Sequence, residues 1–597
     1  MRRSHYIRAN DRSETPSNAI WFDTETDPVA LDADKIGHTL RFGYAAYSRT
    51  RGAGEWIKPQ WLRFTTRAEF WDWVVDRAAA KKTLYLFCHN TSFDLPVLDI
   101  FHELPRRGWK LTRACIDAPP TMLTFRRGAA RIDVLDTLNF WKVPLKALGE
   151  MVGLPKLEMP TADAPAGEWE TYAHRDVEIL LKACMDWWRW LRDEDMGSFA
   201  PTLAAQAMRT WRHRYMDTRV LVHDTEPLLA MERESYHGGR TECFRLGRYD
   251  RRFHVLDVNS LYPSVMRDFD YPTKIAFRRK VARGFDWRTH ASLYATLARV
   301  VIDTDEPAYP ALRDGKLIFP TGRFDATLCG PELIYAADHG HLAEITEVAY
   351  YERGPIFRSF VDDIYARRLA AKASGDETTS HFYKIMMNSL YGKFGQRGQV
   401  WEDESESDDL SARCWKEVDA QTGVCVQYRQ LGGLVQHLER EPESRESCPI
   451  IASYVTSYAR MKLWALIQLA GRANVYYCDT DSLLVTDAGM RRLKPAIDPH
   501  RLGALKYEGW VPHVEIMGAK DYVWGCLRRV KGVRSRAEWL DASTVKQERW
   551  RGLRGQVADG ILDMPTTATI TKRLSRVYTK GTTSTGGKVT PHHLAGG

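Results

Sequence analysis

The stretch YYCDTDS, Tyr476 to Ser482, decides how the rest of the chain is interpreted. It continues a strand-like apolar run that begins at Val475, and it carries two carboxylates one residue apart. Alternate side chains of a strand share a face, so Asp479 and Asp481 are predicted to point the same way while Thr480 points the other. Two like charges held this close resist joint ionisation unless a cation lies between them, and a divalent metal ion is the usual one.

An Asp-Thr-Asp tripeptide is also ordinary turn chemistry, so it proves little by itself. A second copy, Asp303 to Asp305, is followed by Glu306 and Pro307, and this pattern predicts a strand end that enters a turn. A functional interpretation of Asp479 and Asp481 therefore needs acidic partners elsewhere in the chain.

The length and composition are those of a large globular protein. The 597 residues are too many for one compact core and predict about three or four domains. No apolar run approaches the roughly 18 residues of a membrane span, and the polar start lacks a secretory signal. The ten Cys are scattered without zinc spacing, so neither a disulfide framework nor a structural zinc site is expected. These features predict a protein of the cytoplasm, or of the host cytoplasm if the chain is viral.

Positive charge is concentrated in the last part of the chain. Residues 527–597 contain 14 Lys and Arg against 5 Asp and Glu, while the whole chain has a net charge of +8. A basic end suggests a polyanion partner such as nucleic acid, and a solvated charged surface is the alternative. Charge alone does not decide between them.

Acidic partners occur near the start of the chain. A strand-like run ends in Asp23 and Glu25, and a second apolar run, Leu84 to Cys88, leads to Asp94. In a helix-like segment Tyr172 and Asp176 lie four residues apart, on one face. Each carboxylate alone is compatible with a cap or a turn, but together the four are what a two-metal nuclease site requires. Tyr172 could then orient the attacking water.

The middle of the chain contains a second set of polar groups. Residues 253–266 predict a strand ending at Asp257 and then a turn into a helix. Two helix-like segments at 357–372 and 381–394 predict a helical hairpin. In its second helix an ammonium, an amide and a phenol fall on one face, a combination suited to triphosphate oxygens and a stacked base or sugar. These side chains belong to Lys384, Asn388 and Tyr391.

At these residues the sequence resembles the family B DNA polymerases, and most of all the protein-primed group of bacteriophages and linear plasmids. The stretches DVNSLYP from Asp257, KIMMNSLYG from Lys384 and YCDTDS from Tyr477 resemble the three polymerisation motifs, in the same order. FDTET, HNTSFD and YAHRD resemble the three motifs of the proofreading exonuclease. YHGG at Tyr236 resembles the motif that links the two domains.

The resemblance implies roles for the residues of the polymerisation motifs. Asp257 and Asp481 are implied to bind two catalytic ions, Mg²⁺ or Mn²⁺, with the assistance of Asp479. Lys384 and Lys372 would neutralise the nucleotide triphosphate. Further implied nucleotide contacts are Val258, Leu261, Tyr262, Asn388 and Tyr391. Among these, Tyr262 would lie under the deoxyribose and clash with a 2′ hydroxyl, and Tyr391 would pack on the nascent base pair.

In the exonuclease, the resemblance implies that Asp23, Glu25, Asp94 and Asp176 bind two further ions and that Lys156 is a catalytic lysine. The residues implied to hold the frayed single-stranded 3′ end are Thr26, Asn90, Phe93, Thr137 and Leu138. The residues implied to contact template and primer are Tyr236, Gly238, Gly239, Thr456, Arg460, Lys520 and Tyr522.

The implied fold is α/β in the multidomain α+β sense: a ribonuclease-H-like 3′-5′ exonuclease domain followed by the palm, fingers and thumb of a right-hand polymerase. The predicted divisions are an exonuclease domain at 1–190, a linker with the first part of the palm at 191–275, an insertion resembling the terminal-protein region at 276–355, fingers at 356–395, a second insertion at 396–448, the rest of the palm at 449–526, and a thumb with a C-terminal tail at 527–597.

The predicted function is template-directed DNA synthesis with 3′-5′ proofreading, in protein-primed replication of a viral or plasmid genome with strand displacement. The expected partners are template and primer DNA, deoxynucleoside triphosphates and a separate priming protein, with no membrane, and the chain is expected to be a monomer. Three alternatives remain open: a family B polymerase that starts without a primer, a 3′-5′ exonuclease with a vestigial polymerase, and a non-catalytic nucleic-acid-binding protein. The third gives no physical reason for two sets of carboxylates, because bare acids repel phosphates.

Overall fold

The computed structural model describes most of the chain. The described residues are 3–51, 54–79, 82–116, 120–281, 285–398, 400–418, 420–421, 423–439 and 443–595. Some positions of the two predicted insertions, 276–355 and 396–448, lie outside these ranges. So do the first two and the last two residues of the chain. Within the described residues, no helix combines the length and the apolar character needed to cross a membrane.

An eleven-stranded sheet organises the N-terminal region. In sheet order its strands are Glu538–Trp539, Thr544–Trp550, Thr566–Arg573, Lys35–Arg51, Asn18–Ala30, Leu84–Cys88, Ala130–Asp136, Thr121–Arg127 and Lys110–Ile116, and Glu55–Trp56 and Gln60–Phe64 also pair with Lys35–Arg51. Asn18–Ala30 and Leu84–Cys88 are parallel, and their pairing ends at Trp21. Asp23 and Glu25 therefore lie just beyond the part of Asn18–Ala30 that pairs with Leu84–Cys88, where the strand is still paired with Lys35–Arg51.

Among the described residues of the N-terminal region, five helices pack on this sheet or on one another. They are Arg67–Val75, Thr91–Val97, Ile100–Arg106, Leu145–Met151 and Ala166–Asp193. The last is 28 residues long, and its apolar positions recur at helical spacing, which buries one face against the sheet. Tyr172 and Asp176 lie on this buried face, so the packing of the helix carries both side chains towards the strand that holds Asp23.

Two strands from the far end of the chain complete the same sheet. Thr566–Arg573 pairs with the start of Lys35–Arg51, and Thr544–Trp550 pairs with Thr566–Arg573. Side chains of this C-terminal segment join the hydrophobic core of the N-terminal region: Val545, Leu553, Val557 and Leu562. The predicted thumb segment thus contributes to the N-terminal core as well as following the palm in sequence.

The second large unit is a five-stranded sheet of the central region. Its strands, in sheet order, are Thr241–Cys243, Val475–Asp479, Ser482–Thr486, Phe253–Val258 and Leu505–Val511. The 22-residue helix Pro449–Ala470 and the helix Leu261–Asp268 pack beside it, and their apolar residues merge into one core. An adjoining four-stranded sheet contains Gly247–Tyr249, Val514–Gly518, Asp521–Trp524 and Leu527–Val530.

The predicted helical hairpin is present in the structure. Its helices, Arg358–Ala373 and Glu377–Ser389, pack against each other, and the short helix Tyr391–Phe394 follows. In Glu377–Ser389 the buried side chains include Phe382 and Met386. Because these apolar residues take one face, the polar residues are left on the other.

The remaining elements surround these units. An insertion sheet consists of Tyr271–Lys280, Leu342–Gly354, Ala295–Thr304, Thr321–Cys329 and the C-terminal strand His593–Ala595, with helices Trp287–Leu293 and Gly330–Asp338 and the hairpin Ala311–Arg313 and Lys316–Ile318. The second insertion forms a sheet of Trp401–Glu406, Leu434–Leu438, Cys425–Leu431 and Arg413–Val418. Linking elements are His5–Tyr6, Leu203–Thr210, Trp211–Tyr215, Leu221–Val222, Glu226–Ser235, Asp487–Leu493, Leu553–Asp559, Thr582–Thr583 and Val589–Thr590.

Candidate functional site

Three carboxylates meet at the edge of the N-terminal sheet. Ligand oxygens of Asp23, Glu25 and Asp176 lie within 4.8 Å of one another. Burial, followed by the charge of Asp94, raises the pKa of Asp23 well above its usual range. Burial and Asp176 raise the pKa of Glu25 to about 7. Repulsion of this kind is what a bound cation relieves, so the cluster can hold divalent metal.

Asp94 belongs to the same neighbourhood but is held by hydrogen bonds. The backbone N–H of Thr24 donates to its Oδ1 at 3.1 Å, and the Thr24 hydroxyl donates to the same oxygen at 2.7 Å. Burial raises the pKa of Asp94 to about 7, although these bonds act in the opposite direction. These bonds hold one Asp94 oxygen against Thr24, the residue between Asp23 and Glu25.

The lysine and the tyrosine of the implied nuclease lie beside the third carboxylate. The Lys156 ammonium contacts Asp176 Oδ2 and lies 4.2 Å from the centre of the Tyr172 ring. The other oxygen, Asp176 Oδ1, is buried and accepts no hydrogen bond from the described residues. An unused buried carboxylate oxygen in a cluster of hard oxygen donors fits Mg²⁺ or Mn²⁺.

A cavity of about 800 Å³ opens beside these carboxylates. Its wall includes three of the residues predicted to hold a single-stranded end, Thr26, Asn90 and Phe93. Two others are placed differently. Thr137 is fully buried, and its hydroxyl donates to the Cys88 carbonyl at 3.1 Å. Its side chain therefore holds the end of the strand Leu84–Cys88 and does not line the cavity. Leu138 is half-buried outside the cavity lining.

A second acidic pair lies on the central sheet. Asp257, near the end of Phe253–Val258, is opposite Ser482 in the adjacent strand, and Val258 N–H donates to the Asp481 carbonyl at 2.8 Å. Burial, followed by the charge of Asp481, raises the pKa of Asp257 to about 7. Burial also raises the pKa of Asp481. The two carboxylates therefore lie near one another, Asp257 on its strand and Asp481 beside the start of the adjacent strand.

The strand argument for Asp479 and Asp481 is corrected by the structure. Val475–Asp479 and Ser482–Thr486 form a hairpin whose two-residue turn is Thr480 and Asp481, and Thr480 has a φ of 62°. Asp481 is thus a turn residue. Asp479 ends the strand, accepts from the Thr241 hydroxyl at 2.8 Å and lies 3.5 Å from the Lys520 ammonium.

The other copy of the tripeptide behaves as predicted. Asp303 and Thr304 end the strand Ala295–Thr304, and the Thr304 hydroxyl accepts from the Glu306 N–H at 2.9 Å in the turn that follows.

The helical hairpin presents its polar face to this second pair. Lys384 and Asn388 are exposed, and Lys384 is one of the cations that oppose the rise in the pKa of Asp257. Lys372 is exposed at the end of the first helix of the hairpin. The Lys384 ammonium therefore lies close enough to Asp257 to act on the same bound anion, while the role of Lys372 stays a prediction.

Two predicted nucleotide contacts form an aromatic pair. The rings of Tyr262 and Tyr391 are stacked with centroids 4.5 Å apart. Gly239 explains part of this packing, since a Cβ there would lie 2.9 Å from the Tyr262 hydroxyl. Val258 and Leu261 are buried in the core, so their side chains do not face a nucleotide site.

Two predicted DNA contacts are wrong as side-chain contacts. Arg460 and Glu332 form a buried ion pair at 2.8 Å, and each side chain is 1% exposed. Arg460 also donates to the carbonyl of His237 at 2.8 Å and to that of Gly238 at 3.1 Å. Thr456 is 2% exposed and donates within its own helix. Arg460 thus braces the YHGG segment from inside, and Glu332 offsets its charge, which would be costly to bury unpaired.

The last predicted DNA contacts lie around the hairpin turn. Tyr236 is half-buried, and Gly238 is exposed at the surface. The Lys520 side chain is 53% exposed beside Asp479. Tyr522 is 8% exposed and stacks on Trp524 with centroids 4.1 Å apart, so it supports the sheet that carries Lys520.

Sequence reasoning missed several residues of both sites. Lys506 pairs in register with Asp257 and forms an ion pair with Glu508 at 2.8 Å. The alternation of charge in LKYEG could have indicated a sheet face with two charges. His38, Trp550 and Arg534 line the nuclease cavity, and no local pattern connects the last two with it.

Comparison with known proteins identifies the relationship. The family described as "DNA polymerase type B, organellar and viral" matches residues 167–430. The "Probable DNA polymerase" of Neurospora intermedia is 25% identical over 54% of this chain and 34% of its own length. The "DNA-directed DNA polymerase" of Enterobacteria phage PRD1 is 28% identical over 49% of each chain. The chain thus spans between a third and a half of these two relatives.

A solved structure shows the same fold. The DNA polymerase of Bacillus phage phi29, complexed with primer-template DNA and incoming nucleotide substrates, aligns with a TM-score of 0.67 at 16% identity, covering 94% of this chain and 100% of that one. The predicted multidomain polymerase fold is confirmed by this match. The predicted resemblance to the family B DNA polymerases is confirmed: residues 167–430 match the organellar and viral type B family, and the similar proteins of phages PRD1 and phi29 are DNA polymerases.

Proposed function

We propose that this chain is a DNA-directed DNA polymerase with a 3′-5′ exonuclease. The observation that carries the proposal is the closeness of Asp257, near a strand end, to Asp481 in the turn of the adjacent hairpin, with the exposed Lys384 of the helical hairpin near enough to act on Asp257. Paired carboxylates opposite a cationic helix suit phosphoryl transfer, in which charge develops on both the attacking and the leaving oxygen. The sequence motifs predicted the same three residues for this role.

In the proposed reaction the primer 3′ oxygen bonds to the α-phosphorus while the bond to the β-phosphate breaks, and pyrophosphate leaves. Lys384 and Lys372 hold the triphosphate oxygens, while the stacked Tyr262 and Tyr391 form the floor for sugar and base. The Tyr262 ring would oppose a 2′ hydroxyl and so favour deoxynucleotides. Divalent cations bound by Asp257 and Asp481 would supply positive charge for the hydroxyl and for the leaving group.

The proposed exonuclease removes the last nucleotide of a frayed 3′ end. Asp23, Glu25 and Asp176 would hold divalent metal there, for which Mg²⁺ and Mn²⁺ fit the oxygen donors. Tyr172, beside Lys156, would orient a water molecule, and Lys156, in contact with Asp176, would neutralise part of the acidic charge. The water oxygen bonds to the terminal phosphorus, and the departing 3′ oxygen receives a proton.

We further propose that synthesis begins on a separate priming protein, as the resemblance to the protein-primed group implies. The test uses a single-stranded circular DNA with Mg²⁺ and all four deoxynucleotides, with and without an annealed oligonucleotide. Extension only with the oligonucleotide supports a polymerase that needs a primer hydroxyl. Synthesis on the bare circle would favour primer-independent initiation instead, and no synthesis on either would leave the nuclease alternative.

The second insertion is proposed to aid strand displacement. Its ends meet in a bridge between Arg397 and Glu443, and its sheet packs on the N-terminal region, where Arg429 donates to the Ala114 carbonyl at 2.7 Å. The acidic segment Trp401–Glu406 forms a largely exposed strand, and its Glu406 pairs with Lys110 at 2.6 Å. A sheet anchored in this way can keep two DNA strands apart.

Replacement of residues 398–442 by a short glycine linker is expected to slow synthesis through duplex DNA by about tenfold or more, because opening each base pair costs about 1–2 kcal/mol. Filling of an open single-stranded gap should stay within about twofold of the unaltered chain. The measurement compares product length on a gapped and a nicked template. Equal rates on both templates would contradict the proposed role.

A further inference from the structure

One wall of the nuclease cavity is built by the C-terminal segment. Besides the carboxylates, the cavity of about 800 Å³ is lined by Arg534, Trp550, Arg551 and Gly552. These residues stand more than 500 positions after Asp23 in the chain. None of them belongs to the exonuclease motifs, so the motifs do not explain why these residues line the cavity.

Trp550 completes an aromatic cluster on that wall. Its ring is stacked on His38 with centroids 5.1 Å apart at an angle of 26°. Phe93 meets both rings edge-on, at 5.5 Å from Trp550 and 5.6 Å from His38. Trp550 is 38% exposed, so this large aromatic residue presents part of its ring to the cavity.

The cluster is held in place by specific contacts between the two ends of the chain. Thr567, which pairs with Trp550 in the sheet, forms a hydrogen bond of 3.2 Å between its hydroxyl and His38 Nε2. Gln556 Nε2 donates to the Ser92 carbonyl at 2.7 Å, one residue before Phe93. Trp550, His38 and Phe93 are therefore positioned relative to one another by the sheet and by this anchor.

The same segment brings positive charge to a site that is otherwise acidic. Arg551 forms an ion pair with Asp559 at 3.0 Å, which occupies its guanidinium. The Arg534 side chain is exposed at the cavity. A strand that enters beside four carboxylates needs a cation near its phosphates, because bare acids repel them.

We propose that Trp550 and Arg534 are positioning residues for the single-stranded 3′ end, Trp550 by stacking on a base with Phe93 and Arg534 by pairing with a phosphate. Stacking on aromatic side chains is tolerant of sequence, which suits a site that must accept any base. The inference rests on the proposed exonuclease and assigns part of its substrate binding to the C-terminal segment. It leaves the reacting atoms to the carboxylates.

The first test compares steady-state degradation of a short single-stranded DNA by Trp550→Ala and by the unaltered chain. Loss of one stacking contact is expected to raise KM about tenfold and to change kcat less than about twofold. Trp550→Phe should recover most of the lost affinity because it retains an aromatic face. Arg534→Gln should raise KM and weaken its dependence on salt concentration.

The matched control is Trp510→Ala. Trp510 is 56% exposed and lies on the central sheet beside Arg252, away from the cavity. This variant should keep the KM of the unaltered chain. An unchanged KM in Trp550→Ala, or a fall in kcat alone, would overturn the proposal. Absence of degradation by the unaltered chain would instead overturn the exonuclease on which the proposal rests.

A second measurement is independent of the folding of Trp550 variants. A single-stranded oligonucleotide with 5-iodouracil at its 3′ terminus is bound, without divalent metal, to the otherwise unaltered Asp23→Ala, Glu25→Ala variant and irradiated. The expected crosslinks, mapped by mass spectrometry of peptides, lie at Trp550 and Phe93. Crosslinks at Phe93 with none in residues 544–552 would contradict the role of the C-terminal segment.

Discussion

Replacement of Asp481 by alanine is expected to lower primer extension by at least about a thousand-fold, or about 4 kcal/mol of transition-state stabilisation, while leaving degradation of single-stranded DNA unchanged. Asp481 lies in the hairpin turn next to Asp257, and in the proposed site each carboxylate depends on the other to bind divalent metal. The measurement is extension of a labelled primer on a template, in parallel with release of the label from the 3′ end of a single strand.

The chain provides a matched control for this substitution. Asp305 is the third residue of the other Asp-Thr-Asp tripeptide and is exposed in a turn, so Asp305→Ala should extend the primer normally. Loss of folding is not expected in Asp481→Ala, because the substitution removes a buried charge whose pKa is raised by burial and by Asp479. If Asp481→Ala lost both activities, the division into two sites would be wrong.

The double substitution Asp23→Ala, Glu25→Ala should have the opposite effect. It removes two of the three carboxylates whose oxygens lie within 4.8 Å of one another, so degradation of single-stranded DNA should fall by about a thousand-fold or more. Primer extension should stay within about twofold, because these residues lie on a different sheet from Asp257.

The clearest readout for this variant is a primer with a mismatched 3′ nucleotide. The unaltered chain should remove the mismatch before extending, whereas the variant should retain it in the product. Asp27→Ala is the control on the same strand, since the Asp27 side chain is 61% exposed and 3.9 Å from Arg41. Normal mismatch removal by the double variant would place the nuclease chemistry elsewhere.

The sequence predicted the polymerase fold and several of the side chains that lie close together in the structure. Asp257 was predictable because a carboxylate at the end of an apolar run lies near a strand end. Asp23 lies inside the strand Asn18–Ala30, which continues past the end that its apolar run predicted. The hairpin helices were predictable because Phe382 and Met386 recur on the face opposite Lys384 and Asn388. In these cases local periodicity and tertiary packing favour the same structure.

The errors have a common physical cause, which is that burial and long-range pairing leave little local signal. Arg460 in TSYAR has the composition of a DNA contact, but Glu332 pairs with it inside the protein. Thr480 and Asp481 continue an apolar strand in sequence, yet they form the turn of a hairpin. His38 and Thr567 are separated by 529 positions, so no window of sequence could join them.

The pairing of Lys35–Arg51 with Thr566–Arg573 has a consequence for synthesis of the protein itself. A ribosome adds about 5–20 residues per second, so the early strand waits on the order of half a minute to two minutes for its late partner. During that time the unpaired edge offers backbone groups to other nascent chains. Charged residues at this edge, among them Lys35 and the exposed Asp34, would reduce such association. The nuclease cavity acquires its complete wall only when translation is nearly finished.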